Sequence, residues 1–181
     1  MSTLEIQALR APATRDTMWT WSEVCADPVL SRLPFQIELD KHGRIVMSPA
    51  ANWKHGTMQS RIVCWLRSRL GAETATEVGI ANGEGTFEPD VVWAPKSFWQ
   101  AQDPLRADLP SSPPLVVEVL SPSNSESEMQ MKIGAYLEAG AVEVWLVDVD
   151  GHARFFDAGG ERADSPMVGC DAAAALAALK D

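Results

Sequence analysis

The sequence is poor in cysteine and has no long apolar run. Its three cysteines, Cys25, Cys64 and Cys170, are odd in number, widely spaced and without a CxxC pair, so they indicate neither a disulfide framework nor a zinc site. No run approaches the ~18 apolar residues of a membrane-spanning helix. Residues 1–15 also lack the apolar segment of a secretion signal. We therefore expect a soluble, cytoplasmic protein that has no membrane partner.

Basic residues are scarce relative to acidic ones. Fifteen Lys and Arg stand against 25 Asp and Glu, giving a net charge of −10. This balance counts against strong nonspecific attraction to nucleic acid, which needs clustered basic residues. It does not exclude DNA, because a local patch can differ from the total and bound divalent ions offset acidic charge. The hydrophobic content of 46% and the seven tryptophans exclude a disordered chain.

The first half of the chain alternates predicted helices and hairpins. Thr20 and Glu23 have the spacing of a capping box, which predicts a short helix that ends near Pro28. A helix with apolar residues every three or four positions then separates two predicted β-hairpins. The predicted segments are a hairpin of 34–40 with 44–47, a helix over 54–70, and a hairpin of 74–80 with 86–94.

The second half predicts a strand, a helix and a parallel return strand. An apolar strand at 115–120 precedes a capping box at Ser125 and Glu128, a helix to about 139 and a strand at 142–147. We expect a right-handed crossover with two parallel strands. An antiparallel edge strand at 151–157 and an alanine-rich helix at 171–180 follow.

The chain length fits one domain, and we find no repeat or linker. The expected organisation is an N-terminal arm at 1–19, one domain at 20–160 and a C-terminal extension with a short helix at 161–181. The alternation of elements predicts an α/β fold, here an α+β arrangement with a mixed sheet.

Two acidic residues precede or begin an apolar strand. Period-two alternation in a strand at 88–93 puts Glu88 and Asp90 on one face. Pro89 cannot donate to a sheet ladder, so pairing is interrupted beside Asp90, which suits a site where the backbone is splayed or a strand begins. The alternative is a strand that enters from solvent with its first acids still hydrated.

Glu118 lies within the apolar run of residues 115–120. An unpaired carboxylate in a strand covered on both faces would cost several kcal/mol. Glu118 is therefore either paired with a buried cation or helps to hold a metal ion, with Asp90 as the second ligand. Lys132 is the candidate cation, because it lies at the edge of the buried stripe of the following helix.

Five short motifs form a series along the chain. They are Pro89–Val92, Pro114–Ser123, Lys132 with Tyr136, Ala139–Gly140 and Val144–Asp148. In order and spacing this series resembles the Uma-two-type restriction endonuclease family, within the PD-(D/E)XK nuclease superfamily. The resemblance spans residues 20–157. It implies a restriction endonuclease-like core, in which helices flank a central mixed sheet.

The resemblance also implies a metal site. Its ligands would be Asp90, Glu118 and the carbonyl of Val119. The superfamily lysine stands two residues after the acid, where this chain has Leu120. The family resemblance instead places the lysine on the following helix, at Lys132.

Residues on the 54–70 helix complete the expected site. His55 matches the family's position there, and Gln59, one turn on, is expected to face the same cleft. Without the resemblance, His55 would be interpreted as a surface histidine at a helix start. Glu88 is expected to act as an auxiliary acid through water, and Tyr136 as an auxiliary residue on the Lys132 helix.

These residue types suit phosphodiester hydrolysis. Two carboxylates hold a hard ion such as Mg²⁺ or Mn²⁺, which lowers the pKa of bound water and polarises a phosphodiester oxygen. Lys132 would orient or deprotonate the attacking water and stabilise developing charge. The resulting hypothesis is a metal-dependent DNA endonuclease, with a homodimer supplying one site for each strand.

Two alternatives stay open. One is a binding or regulatory protein that keeps the fold and the acids without turnover. The other is a phosphodiesterase that acts on RNA or a small substrate. A basic groove beside Asp90 and Glu118 would favour DNA, whereas an acidic rim would favour the alternatives.

Overall fold

Two β-sheets share a hairpin that passes from one sheet to the other. The computed structural model describes residues 18–71, 73–122 and 124–180. Residues 1–17 of the predicted N-terminal arm lie outside the described residues. The strands are β1 Phe35–Asp40, β2 Ile45–Pro49, β3 Glu73–Ala75, β4 Ile80–Asn82, β5 Gly85–Phe87, β6 Val91–Ala94, β7 Leu115–Val119, β8 Glu143–Val147, β9 Ala153–Asp157, β10 Gly160–Arg162, β11 Asp164–Ser165 and β12 Cys170–Asp171. The helices are α1 Trp21–Ala26, α2 Trp53–Leu70, α3 Lys96–Gln100, α4 Glu126–Glu138 and α5 Ala172–Lys180.

The larger sheet has six strands in the order β10-β9-β8-β7-β6-β3. Strands β7 and β8 are parallel and joined by α4, whereas the other pairs are antiparallel. The predicted mixed sheet is therefore confirmed. Every residue of β7 and β8 is buried, because helices cover both faces of the sheet.

Alternation along β7 distributes its side chains between two cores. Val117 packs in the cluster that contains residues of α2 and α5, whereas Val116 packs in the cluster that contains residues of α4. Because side chains two residues apart share a face of a strand, Glu118 projects toward α4 together with Val116.

The two capping boxes predicted from the sequence begin helices α1 and α4 in the structure. Thr20 with Glu23, and Ser125 with Glu128, form complete capping boxes. The N-cap of α2 is Asn52, whose side chain accepts hydrogen bonds from the amides of Lys54 and His55. This cap directs the first turn of α2, and with it His55, toward the end of β7.

The predicted hairpin of 74–80 with 86–94 is wrong in detail. Each predicted strand is broken in the middle, so that β3 pairs with β6 in the larger sheet and β4 pairs with β5 in a smaller sheet of order β2-β1-β5-β4. Pro89, which lacks an N–H group, lies in the second break. Gly85 begins β5 with a φ of +140°, where a Cβ would overlap the carbonyl oxygen of Leu39.

The C-terminal extension is part of the core rather than an appendage. Ala175 and Leu179 of α5 are fully buried in the cluster that also contains residues of α2 and β7. Glu143 ties the extension to β8, because its buried carboxylate accepts hydrogen bonds from the Ser165 hydroxyl and the Met167 amide. The predicted edge strand at 151–157 is not an edge, because β10 pairs beyond β9.

Across the described residues, none of the helices combines the length and the apolar character needed to cross a bilayer.

Candidate active site

Glu88 and Asp90 lie in the break between β5 and β6, not on one face of a strand as the sequence predicted. The backbone there departs from the sheet ladder, so side chains from other elements satisfy it. The Gln36 amide group donates to the Glu88 carbonyl at 3.3 Å, and the Glu88 amide donates to Glu38 Oε1 at 3.0 Å. Gln59 Nε2 donates to the Asp90 carbonyl at 2.7 Å. Strand β1 and helix α2 thus fix the position of Asp90.

The Asp90 carboxylate is buried between α2 and the end of β7. Its Oδ2 accepts a hydrogen bond from the Val119 amide at 2.6 Å, and its Oδ1 lies 3.3 Å from His55 Nε2. The same imidazole nitrogen lies 3.0 Å from the Val119 carbonyl oxygen. Because both neighbouring atoms are oxygen acceptors, we infer that Nε2 carries a proton. The hydrogen bond to Asp90 raises the pKa of His55, although burial opposes the rise.

Glu118 is buried against helix α4. Its Oε1 accepts a hydrogen bond from the Tyr136 hydroxyl at 2.7 Å and lies 3.3 Å from Lys132 Nζ. Burial raises the pKa of Glu118 to about 7, Lys132 opposes this rise, and Asp90 adds to it. Burial likewise raises the pKa of Tyr136 well above its ordinary value. A carboxylate in this environment gains from any additional cation nearby.

Lys132 has its shortest contact with a residue that the sequence did not single out. Its ammonium lies 2.8 Å from Glu38 Oε1, closer than to Glu118, and 5.5 Å from the centroid of the Phe87 ring. Burial by itself lowers the pKa of Lys132, but Glu118 and Glu38 together raise it above its ordinary value. Lys132 is therefore a protonated donor at neutral pH.

Glu38 gave no local signal in the sequence. It lies on β1 in an alternating polar and apolar strand, which is the ordinary pattern of a strand with one solvent face. Only the packing of the smaller sheet against α4 turns that face toward Lys132. Glu38 shares its face of β1 with Gln36, and both side chains bind the backbone of residue 88, a contact that only the structure shows.

These residues line a cavity of about 290 Å³. Of the predicted site residues, the structure brings together Asp90, Glu118, Val119, Lys132 and His55 on its wall. Gln59 and Tyr136 lie outside the lining and support Asp90 and Glu118 through the hydrogen bonds given above.

Glu88 does not line this cavity. It borders a neighbouring cavity of about 410 Å³, together with Glu77. Burial raises the pKa of Glu88 to about 7, and the charges of Glu77 and Glu38 add to the rise.

The cavity wall is acidic. Four of its residues are Asp or Glu, namely Glu38, Asp90, Glu118 and Glu128, whereas its basic residues are Lys132 and His55. An acidic wall attracts cations rather than phosphates.

The oxygen atoms around the cavity are of the kind that bind a divalent metal ion. Two buried carboxylates and the Val119 carbonyl are hard oxygen ligands of the kind that Mg²⁺ and Mn²⁺ prefer. Within the described residues Glu118 Oε2 has no hydrogen-bond partner, and Glu118 borders the cavity. His55 Nδ1 is buried and also has no partner within that part of the chain. In the same part, no three His, Cys, Asp or Glu side chains form a ready metal cluster. The donors fit such an ion, although the Val119 carbonyl and both Asp90 oxygens contact protein donors.

Comparisons with known proteins agree on the fold. A family model described as "Uma2: Putative restriction endonuclease" matches residues 29–155. The chain is also similar to a solved structure from Anabaena variabilis ATCC 29413, described as a "putative nuclease belonging to DUF820". That similarity has a TM-score of 0.64 at 19% sequence identity and covers 79% of this chain and 90% of the other. No curated protein matches the chain.

Proposed function

The chain belongs to the Uma2 family of restriction endonuclease-type proteins, and we propose that it is a metal-dependent endonuclease that hydrolyses phosphodiester bonds of DNA. The single observation that carries the proposal is the convergence of Asp90, Glu118 and Lys132 on one cavity. Asp90 lies directly before β6, Glu118 is on β7 and Lys132 is on α4, and each of the three is buried. Burying two acids and an ammonium at one place is costly for folding, which supports a role in chemistry.

Asp90 and Glu118 would hold the metal ion, with the Val119 carbonyl as a third oxygen ligand. Mg²⁺ and Mn²⁺ both suit these ligands. When bound, the ion supplies Lewis acidity toward a phosphate oxygen and lowers the pKa of a coordinated water. The raised pKa of Glu118 supports this assignment, because a buried carboxylate that is costly to ionise is stabilised by a nearby cation.

Lys132 would act as a hydrogen-bond donor. Since its pKa is raised above the ordinary lysine value, its ammonium is charged at neutral pH and is not a general base. We therefore choose orientation of the attacking water and stabilisation of charge on the phosphate over proton abstraction.

The neighbouring residues would hold these groups in position. His55 contacts Asp90 and Val119, so it fixes both metal-ligand candidates beside the first turn of α2. Gln59 holds the backbone of Asp90, and Tyr136 holds one oxygen of Glu118. Glu88 borders the neighbouring cavity, so its proposed role as an auxiliary acid through water would be exerted from there.

Cleavage of supercoiled plasmid tests the proposal. Wild-type protein purified free of contaminating nucleases should nick or linearise plasmid in the presence of Mg²⁺ or Mn²⁺. Cleavage should stop when the metal is chelated. Lys132→Ala should abolish cutting, whereas Lys41→Ala, which removes an exposed lysine paired with Glu84, should not. Equal cutting by wild type and Lys132→Ala would contradict the assignment of the site.

The acidic wall favours a second candidate. Acidic residues beside Asp90 and Glu118 are expected for a nuclease-fold binding protein without turnover, or for a phosphodiesterase that acts on RNA or a small substrate. A protein that binds labelled DNA but leaves it intact with either metal would support the binding role. Cleavage of RNA but not DNA would support the other substrate class.

The homodimer and the cytoplasmic location stay predictions. Cutting both strands needs two sites, so we expect the active form to have twice the mass of the 19.7 kDa chain in light scattering.

A further inference from the structure

We propose that Glu38 is a positioning residue that draws the Lys132 ammonium toward itself, so that Lys132 contacts only one oxygen of Glu118 and Glu118 stays available to a metal ion. The inference rests on the proposed metal-dependent function. It assigns a role to a residue of β1 that belongs to neither the expected ligands nor the expected donors.

Lys132 lies closer to Glu38 than to Glu118. Lys132 Nζ is 2.8 Å from Glu38 Oε1 and 3.3 Å from Glu118 Oε1. Lys132 and Glu118 are buried and Glu38 is largely buried, with exposed side-chain fractions of 9%, 8% and 12%, respectively. In such surroundings an ammonium needs a carboxylate partner. Glu38 is the nearer one, so Glu118 is not required to neutralise Lys132.

The Glu38 carboxylate is held in place by the backbone of Glu88. Its Oε1 also accepts a hydrogen bond from the Glu88 amide at 3.0 Å, and Gln36, two residues earlier on β1, binds the carbonyl of Glu88. A carboxylate held by a backbone amide keeps its position when the contents of the cavity change. Glu118 is held on its Oε1 side by Tyr136, which leaves Oε2 without a hydrogen bond among the described residues.

Glu38 therefore limits the competition between Lys132 and a metal ion for Glu118. Without the Glu38 charge, Glu118 is the remaining carboxylate in contact with Lys132, and the ammonium moves fully onto it. A metal ion then has to displace Lys132 from Glu118 before it binds. Glu38→Gln should therefore weaken metal binding through Lys132, not through loss of a ligand.

A double-mutant cycle on Mn²⁺ binding tests this mechanism without any measurement of cleavage. Calorimetry with Mn²⁺ alone should show that Glu38→Gln weakens binding about tenfold in the wild-type background. In a Lys132→Met background the same substitution should change affinity less than about twofold, because no ammonium competes for Glu118. Lys132→Gln serves instead of Lys132→Met if the latter does not fold, as judged by circular dichroism. Glu84→Gln removes an exposed carboxylate of the Lys41 ion pair and should leave Mn²⁺ affinity unchanged.

The outcomes separate this inference from the proposed function. An equal loss of affinity in both backgrounds would mean that Glu38 acts by its charge or as a ligand, and would overturn the positioning role while leaving the metal site intact. No Mn²⁺ binding by the folded wild-type protein would overturn the metal-dependent function, and the inference with it. Rescue by Lys132→Met would establish that Glu38 acts through Lys132.

Discussion

At the residue scale, the candidate site is a set of buried charges that stabilise one another. Lys132 is shared by Glu38 and Glu118, so the ion pair expected between Lys132 and Glu118 is half of a three-membered cluster. Asp90 is held separately, by Val119 and His55. The sequence posed a choice between an ion pair and a metal ligand for Glu118, and this geometry allows both roles in one residue.

Removing Lys132 should cost more stability than neutralising Glu118. Lys132→Met leaves two buried carboxylates without their cation, and we expect the free energy of unfolding to fall by about 3 kcal/mol. Glu118→Gln leaves Lys132 paired with Glu38 and keeps an acceptor for Tyr136, so the loss should be within about 1 kcal/mol. Urea unfolding of the metal-free variants measures both. The opposite ranking would mean that Glu118, not Glu38, is the main partner of Lys132.

The stability of the metal-free protein should depend on pH through Glu118. Its pKa is about 7 when folded and near 4.5 when unfolded, so the folded state binds more protons between these values. The free energy of unfolding should therefore fall as the pH rises through this window, by about 3 kcal/mol at most. Lys132, whose pKa is raised, contributes the same stability throughout the window.

A comparison of two proteins isolates this contribution. Urea unfolding between pH 4.5 and 7.5 with chelator present should show a steeper fall for wild type than for Glu118→Gln. Parallel curves for the two proteins would show that Glu118 keeps an ordinary pKa.

At the element scale, the site depends on a hairpin that changes sheets. β4 and β5 belong to the smaller sheet, and β3 and β6 belong to the larger one, so Asp90 lies at the junction, directly before β6. Strand β1 holds this junction through Gln36 and Glu38. Helix α4 brings Lys132 to the same place, because its capping box and buried stripe fix its start and its rotation.

The C-terminal helix α5 should contribute to global stability although it lies beyond the region matched by the family model. Leu179 is fully buried in the core cluster that contains residues of α2 and β7, so Leu179→Ala should cost about 2 to 5 kcal/mol. The matched control is Leu105→Ala, since Leu105 is 91% exposed and its loss should change stability by less than about 0.5 kcal/mol. Chemical unfolding of both variants tests this expectation. Equal effects would mean that α5 does not pack on the core in solution.

At the scale of the whole molecule, an acidic protein is built around a small set of buried charges. The net charge of −10 and the acidic cavity wall both favour a cation in the cavity before any phosphate approaches it.

Metal binding should therefore raise the stability of the entire fold. Saturating Mn²⁺ at about 100 times its dissociation constant should add about 2.7 kcal/mol to wild type by mass action. Glu118→Gln should lose most of this gain, whereas Glu84→Gln should keep it. Thermal melts with Mn²⁺ and with chelator provide the measurement. No shift in wild type would count against the metal site.

The expectations that failed involve contacts between distant parts of the chain. The sequence predicted the break at Pro89. It did not predict that Glu88 would border a neighbouring cavity, because that position depends on how the two sheets pack. Glu38 was missed for the same reason. Its strand carries an ordinary alternating pattern, and its partner Lys132 is 94 residues away.

The sequence by itself determined the elements that carry the site. Proline and glycine punctuation, capping boxes and runs of valine and leucine are local, and they placed the β7-α4-β8 unit and flagged Asp90, Glu118 and Lys132 as acids and a cation out of place. Tertiary structure alone decided which charges meet. Buried ion pairs form between side chains that the topology brings together, and no local preference encodes their distance. For this reason the assignment of Lys132 to Glu38 required the packing of the smaller sheet against α4.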